Sequence, residues 1–290
     1  MKKILLFVLV AAVALAGCGR PGGNEPAYDY DSEREQNDIS HILVYVTIEE
    51  QVIMEQNDIR VTALAFEQNA FQMPALRVLI ENSSDIPLVW QALNASVNGI
   101  MIRTDFASAV APGGSTKDEI SFLPIYLEEA GIETISEIGL RFSFAEDHSF
   151  AFLFESDIIT IPTSAAGYTQ PLDDSGSVIL DQDGFRVVIQ ELYETFSGDA
   201  AVRILIQNNS DNDILIHFSD LSVNGWLVKH MFSGHVFAGA SAFNWLLIPE
   251  YSLEDIDVDA DEIEEMDFVI HISNIRSHDS LVSEWVSVTF

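Results

Sequence analysis

A long internal repeat is the feature of this sequence that most constrains its fold. Residues 75–85 match residues 201–211 in kind at nearly every position, at an offset of 126. The same offset aligns Val97-Asn98-Gly99 with Val223-Asn224-Gly225, and it becomes 128 in the last part of each copy. Self-similarity at a nearly constant offset indicates one folded unit that occurs twice.

The repeat also predicts how the chain is divided. We expect two homologous domains at residues 41–163 and 174–290, with residues 164–173 as a short linker. A chain of 290 residues is long enough for each copy to bury its own core. Its 48% content of hydrophobic residues is typical of a folded protein and not of a disordered one.

Each copy carries the signals of short β-strands. Residues 76–80 and 202–206 are apolar runs that end in Asn-Ser-Asp turn chemistry, and residues 42–48 largely alternate in polarity. Asn98-Gly99 and Asn224-Gly225 lie between short apolar-rich runs, which is the strongest local signal for a two-residue type I′ hairpin. The sequence therefore predicts an all-β fold with a sandwich in each copy.

Two further patterns refine this prediction. Pro124 at the start and Gly131 at the end predict a short helix at residues 124–130, and we expect one such helix in each sandwich. Phenylalanines at period two in residues 140–144 and 150–154 predict a hairpin whose rings line the core.

The order of the motifs resembles a known kind of surface domain. A strand ending in ENSSD, an SVNG hairpin, a turn at Pro112-Gly113 and the segment LEEAGIETISEIGLRFSF follow one another in the first copy. This order resembles the immunoglobulin-like domains of uncharacterised surface lipoproteins, especially from Gram-positive bacteria. The second copy departs from it by replacing Pro112-Gly113 with Ala238-Gly239. The resemblance implies a fold and a location, and it carries over no catalytic residue.

The beginning of the chain predicts where the protein is located. Lys2 and Lys3 precede an almost unbroken apolar run at residues 4–16, which is the layout of a secretory signal peptide. A spanning helix needs about 20 apolar residues, so this run is too short to cross a bilayer comfortably. The tetrad Leu15-Ala16-Gly17-Cys18 resembles the lipobox of bacterial lipoproteins, which implies cleavage after residue 17 and lipidation of Cys18, the chain's only cysteine. The expected location is the outward face of the cell membrane.

Composition narrows the classes of partner. Residues 18–40 hold few apolar side chains, so we expect a disordered tether behind the lipid anchor. The whole chain has 13 Lys and Arg against 46 Asp and Glu, a formal net charge of -33. Nucleic acids and anionic lipid surfaces require clustered cations, so we expect no nucleic-acid partner. The charge favours a cation or a basic partner.

The sequence shows no local signature of catalysis. It lacks the serine elbow of hydrolases, the zinc-protease helix motif and the glycine-rich phosphate loop, and we expect neither catalytic residues nor a zinc or copper site. Calcium is the one metal hypothesis, with ligands from Asp255, Asp257, Asp259 and Asp261. The interpretation we favour is a solvated acidic segment, because runs of acids usually repel and remain in solvent. No other cofactor is expected.

Trp226 follows the second hairpin turn, where the first copy has Ile100. An indole at such a tip can stack on a sugar or anchor a partner, or it can pack on its own sheet, which we favour because Ile100 is also apolar. The sequence thus predicts a non-enzymatic, membrane-anchored surface lipoprotein that acts as a spacer or protein-binding module. The alternative is a binding module for a glycan or cell-wall polymer, assisted by calcium. The lipid bilayer and either a surface protein or a wall glycan are the expected partners.

Overall fold

A computed structural model describes residues 46–92, 94–104 and 107–290 of the chain. The predicted signal peptide at residues 1–17, the lipidated Cys18 and the tether at residues 18–40 lie outside the described residues. The described residues belong to one compact unit. They are nearly all β-structure in antiparallel sheets with two short α-helices, which confirms the predicted all-β sandwich fold.

The first half of the described chain, residues 46–163, forms two facing layers of strands. One sheet has the order β1-β2-β3-β8, and the other layer is made of β11-β10-β4-β7 and β12-β9-β5-β6. The elements are β1 (Gln51–Gln56), β2 (Ile59–Gln68), β3 (Pro74–Asn82), β4 (Leu88–Gln91), β5 (Asn94–Val97), β6 (Ile100–Arg103), β7 (Ala107–Val110), β8 (Ser115–Ser121), α1 (Pro124–Glu129), β9 (Glu137–Leu140), β10 (Ser143–Glu146), β11 (Phe152–Glu155) and β12 (Ile159–Pro162).

The second half, residues 174–290, repeats this arrangement, and three of its strands are continuous where the first half has two shorter strands each. Its sheets have the orders β13-β14-β15-β19 and β17-β16-β20-β21, and β18 also pairs with β16. The elements are β13 (Ser177–Gln182), β14 (Phe185–Glu194), β15 (Ala200–Asn208), β16 (Ile214–Val223), β17 (Trp226–Leu227), β18 (Ser233–Val236), β19 (Ser241–Ile248), α2 (Glu250–Glu254), a 3₁₀ helix (Ala260–Glu262), β20 (Glu265–Asn274) and β21 (Ser280–Thr289). At the repeat offsets, β16 corresponds to β4 plus β5, and β20 corresponds to β9 plus β10.

Each half has its own hydrophobic core. The first core surrounds the buried rings of Trp90 and Phe142, whose centroids lie 5.9 Å apart. The second is built around Phe218, which stacks on Phe268 at 4.5 Å and on Phe232 at 4.0 Å. The two clusters account for most of the buried apolar side chains, so each sandwich is stabilised mainly by its own inward-facing residues.

The phenylalanine hairpin is confirmed in its pairing and only partly in its burial. β10 pairs with β11, and Phe142 and Phe144 are fully buried. Phe154 stacks on Phe144, whereas Phe150 and Phe152 are exposed. The difference arises because a β-bulge shifts the register, so that Phe154 pairs with Phe144 whereas Phe152 pairs with Ala145, whose side chain points to the opposite face.

The predicted turns have the expected backbone. Asn98 and Gly99 have φ of 54° and 77°, and Asn224 and Gly225 have φ of 49° and 83°. Positive φ at both central residues defines the type I′ hairpin, so this prediction is confirmed. The helix predicted at residues 124–130 is confirmed by α1.

The strand predicted at residues 42–48 is wrong for its described part, since residues 46–50 form no strand. The backbone there bonds instead to the segment that follows β12. Thr47 N donates to Ser164 Oγ at 3.0 Å, and Ser164 N donates to Thr47 O at 2.8 Å. Val46 is nevertheless buried in the first core, which explains the apolar pattern of the segment. Within the described ranges, no helix has the length and apolar character needed to cross a membrane.

Candidate functional site

The hairpin of the first half is covered by the second half. Ser241 N, at the start of β19, donates to Gly99 O at 2.8 Å, and Ser241 pairs with Ile100 in parallel. This single bridge joins strands of both halves into one eight-stranded sheet. Met101 packs against the second core and Phe243 packs against the first. The edge of β6 is therefore an internal interface.

Polar contacts fix the junction between the halves. The buried Arg141 forms an ion pair with the buried Asp213, and its guanidinium lies 4.9 Å from the ring centroid of Phe237. Asp213 also accepts a hydrogen bond from Ala238 N at 3.0 Å. Asn94 Nδ2 and His235 Nδ1 lie 3.0 Å apart across the junction. Breaking a buried ion pair costs more free energy than breaking an exposed one. These contacts therefore favour one arrangement of the two halves.

His235 is the titratable group at this junction. Burial lowers the pKa of His235 below its ordinary value, the positive charge of Arg141 lowers it further, and Asp213 partly opposes both effects. A neutral imidazole is therefore the form that the folded junction favours.

The asparagine of each repeated Asn-Gly turn bonds the hairpin to a neighbouring segment of its own half. Asn98 Oδ1 accepts hydrogen bonds from Ser136 N at 2.7 Å and Ser136 Oγ at 2.9 Å, while Asn98 Nδ2 donates to Thr134 O. In the second half, Asn224 Oδ1 accepts from Glu264 N at 2.9 Å and Glu265 N at 3.1 Å. Each asparagine thus makes its turn and also fixes the start of the strand alongside it.

No other described strand pairs with the corresponding edge of the second half. Trp226 is 64% exposed and Leu227 is 75% exposed, whereas Ile100 at the matching position is 3% exposed. β17 pairs only with β16 among the described strands. The prediction that Trp226 packs on its own sheet is wrong, because its side chain is exposed to solvent, whereas Ile100 is buried in the core of the first half.

Other exposed rings lie at the same end of the second half. Lys229 N donates to Ser252 Oγ at 2.7 Å, and Lys229 Nζ lies 5.2 Å from the ring centroid of Tyr251, which is exposed. Glu250 N donates to Asp199 Oδ1 at 2.9 Å, which brings the β14–β15 turn and the exposed Phe196 to the same end. We call this surface the free end, and its members are Phe196, Trp226, Leu227 and Tyr251.

The acidic segment, which contains Asp255, Asp257, Asp259 and Asp261, borders the free end. Asp255 ends α2, Asp257 has a φ of 57°, and Asp259 caps the 3₁₀ helix that contains Asp261. Among the residues that the structure describes, no three carboxylate, imidazole or thiol groups are placed to hold a metal ion. The calcium hypothesis stays a prediction. Asn224 Nδ2 donates to Glu262 O at 2.9 Å, so the segment lies against the Trp226 hairpin.

A serine and a histidine meet on the outer face of the second half without forming a catalytic triad. Ser219 Oγ lies 2.9 Å from His271 Nε2, and Ser219 Oγ also donates to Asp220 Oδ2 at 2.9 Å. In a triad the carboxylate orients the histidine, whereas here it binds the serine. His271 stacks on His217 at 4.8 Å, and burial, followed by His271, lowers the pKa of His217.

A polar crevice of about 280 Å³ lies beside the junction, with Arg141 and Arg276 among its lining residues. Arg276 lies 3.7 Å from Asp157, and Arg141 is paired with Asp213. Both arginines of the crevice are therefore paired with aspartates that line it, and neither is left to bind an anionic ligand.

Sequence reasoning missed Leu227, Phe196 and Tyr251 at the free end, as well as the Arg141–Asp213 pair. One signal could have found the pair. Arg141 and Asp213 lie at positions where the other copy has Val269 and Pro87, so they break the repeat. Residues that differ between otherwise matched copies are candidates for contacts that only one copy makes.

No family model and no curated protein matches the chain. Among solved structures, red sea bream transglutaminase is 9% identical with a TM-score of 0.20, over 83% of this chain and 31% of that one. An exo-chitosanase of Amycolatopsis orientalis, in complex with PNP-β-D-glucosamine, is 10% identical with a TM-score of 0.22, over 74% and 25%. The chain thus spans less than a third of either protein, and likeness at this level carries no argument about function.

Proposed function

We propose that this protein is a lipid-anchored surface lipoprotein that binds another protein through its free end and catalyses no reaction. It consists of two immunoglobulin-like domains, residues 41–163 and 174–290, behind a tether at residues 18–40. Lipidation of Cys18 holds it at the outward face of the cell membrane. The resemblance of Leu15-Ala16-Gly17-Cys18 to a lipobox supports the anchor.

One observation carries the binding function. The edge that is an interface in the first half, at Ile100 and Met101, pairs with no further strand in the described part of the second half, where it presents Trp226 and Leu227. An exposed indole beside an exposed leucine is unfavourable in water and favourable in an interface. Truncating an aromatic anchor of this kind typically costs at least ~2 kcal/mol of binding, about 30-fold in affinity.

A photo-cross-linking amino acid at Leu227 of the full-length lipoprotein on living cells tests the proposal. We expect it to capture one protein, and we expect Trp226→Ala to reduce the yield strongly. Trp285 is the matched control, since it is a tryptophan of the same half that is 61% exposed but lies on a different strand, β21. A cross-linker at position 285 should capture no protein. Trp285→Ala, with the cross-linker at position 227, should leave the yield of captured protein unchanged.

The exposed indole also supports the second candidate, a module that binds a glycan or cell-wall polymer with help from calcium. In that case the cross-linker at Leu227 captures wall polymer and no protein. Chelation should then weaken capture and lower the melting temperature of the second half. Capture of nothing at Leu227, or capture that Trp226→Ala does not change, contradicts both candidates. The form with Cys18→Ala tests whether anchoring is needed.

A further inference from the structure

The mode of binding at the free end can be inferred from the interface that the chain already makes, if the proposed function holds. In the first half the occupant of the hairpin edge is a strand, β19, and its first contact is between backbone groups, Ser241 N and Gly99 O. Gly225 stands at the repeat position of Gly99, with the same type I′ backbone. The hairpin edge of the second half therefore has the backbone form that receives a strand in the first half.

A second copy of this chain does not fit the edge well. The second half has Val269 and Asp220 where the first half has Arg141 and Asn94, so the residues that hold β19 and its neighbours in the first half are missing from it. The first half of another copy would bring Pro87, Ala109 and Lys117 where the second half brings Asp213, His235 and Phe243. Between two copies, the junction's ion pair, its asparagine–histidine contact and its packing of Phe243 would therefore all be absent.

The charge around the edge selects the chemistry of the occupant. Four glutamates are exposed around the edge. Glu250 and Glu254 lie on α2, and Glu262 and Glu264 lie on the segment whose backbone bonds to Asn224 of the hairpin. A segment with lysine or arginine side chains neutralises this rim, whereas an acidic segment is repelled by it. Apolar side chains between the cations can cover Trp226 and Leu227.

We infer that the free end binds an extended, basic segment of another protein, which adds to the edge of β17 as a further strand. Addition of a strand to an open edge takes its affinity from main-chain hydrogen bonds and its specificity from alternate side chains. The negative charge of the whole chain then steers basic partners towards the site.

Two synthetic peptides separate this mode from simple charge attraction. Both are about ten residues long, the upper end of strand length, with Lys alternating with Val in one and with Pro in the other. The charges are equal, but proline cannot donate a ladder hydrogen bond. A third peptide alternates Glu and Val. The mature lipoprotein in detergent micelles carries ¹⁵N in its tryptophan indoles, and Trp226→Phe identifies the signal of Trp226 among the four tryptophans.

We expect the Lys-Val peptide to shift the Trp226 signal saturably and to leave the Trp285 signal in place. The Lys-Pro and Glu-Val peptides should not shift the Trp226 signal. Salt at about 1 M, where the Debye length is about 3 Å, should weaken the Lys-Val effect at least tenfold. An equal response to Lys-Pro overturns the strand mode, and an equal response to Glu-Val overturns the basic partner. A Trp226 shift that depends on protein concentration without peptide shows that a second copy is the occupant.

The cellular cross-linking experiment and the peptide experiment test different claims, so their negative results can be told apart. A protein captured at Leu227 with no peptide response leaves the protein-binding function in place and removes the basic strand as its mode. A peptide response without any captured protein removes the proposed function, because the edge then has affinity but no cellular partner.

Discussion

Replacing Asn208 by alanine should be among the most destabilising single changes in the second half. Asn208 is fully buried at the end of β15. Its Nδ2 donates to Asn212 O at 2.7 Å, to Phe237 O at 2.9 Å and to Val236 O at 3.2 Å. Its Oδ1 accepts from Ser210 N and Ser210 Oγ. One amide thus ties two separate turns to the strand that carries it.

The expected magnitude follows from these bonds. A typical hydrogen bond contributes about 1 kcal/mol net, and a buried group left without a partner costs about 1–3 kcal/mol. Some of the carbonyls keep another donor, such as Ala240 N for Phe237 O. We therefore expect Asn208→Ala to lower the free energy of unfolding by roughly 3–5 kcal/mol, a large part of the roughly 5–15 kcal/mol that holds a typical domain folded.

Urea unfolding of the mature lipoprotein, followed by far-UV circular dichroism, measures this loss. Asn209→Ala is the control, because Asn209 is exposed and the hydrogen bond from its backbone N–H to Gly184 O at 2.8 Å survives the change. Its effect should stay within about 0.5 kcal/mol. Asn82→Ala should behave like Asn208→Ala, since Asn82 makes the same set of bonds to Ile86 O, Ala111 O and Ser84 in the first half. A loss below about 1 kcal/mol for Asn208→Ala would refute the reasoning.

Two further predictions concern packing and pH. Gly139→Ala places a Cβ on Ser96 Oγ, so we expect a loss of about 1–3 kcal/mol in thermal unfolding, and Ser96→Ala should restore most of it because Ser96 Cβ lies 3.6 Å from the added atom. Failure of Ser96→Ala to rescue would place the strain elsewhere. Burial lowers the pKa of His235 in the folded state. The stability that the neutral imidazole contributes is therefore present in full above the pKa of the unfolded state, about 6.5, and it is lost as the pH falls through the pKa of the folded state. His235→Gln should therefore lose less stability than the wild type between about pH 7.5 and 5, and parallel curves in urea unfolding would contradict this assignment.

Local chemistry explains what could be predicted from the sequence. The type I′ turns at Asn98-Gly99 and Asn224-Gly225 follow from which residues tolerate positive φ, and the strands follow from period-two burial. The helix α1 follows from Pro124 and Gly131 in the same way. The strand predicted at residues 42–48 failed in its described part because its apolar residue is buried by packing and not by a ladder, and polarity patterns do not distinguish the two.

The candidate site was only partly visible in the sequence. Trp226 stands out by its position after the turn, but the sequence does not show that its side chain is exposed, because the matching Ile100 is buried. Arg141 and Asp213 lie 72 positions apart, and Asn94 and His235 lie 141 positions apart, so no local pattern links them. The repeat showed that the two hairpins are equivalent, and it could not show that only one of them is covered.

The sequence by itself determined the all-β class, the repeated hairpins and the chemistry of the turns, because each depends on backbone preferences of adjacent residues and on the alternation of side chains along a strand. Only the tertiary structure decided which apolar residues are core and which are surface. Ile100 and Trp226 occupy the same place in the same unit, yet one is buried and the other is exposed. The physical reason is that burial depends on the side chains that pack around a residue, and those come from distant parts of the chain. Ile100 lies in the core of the first half, against which Phe243 of β19 also packs, whereas Trp226 lies outside the core of the second half.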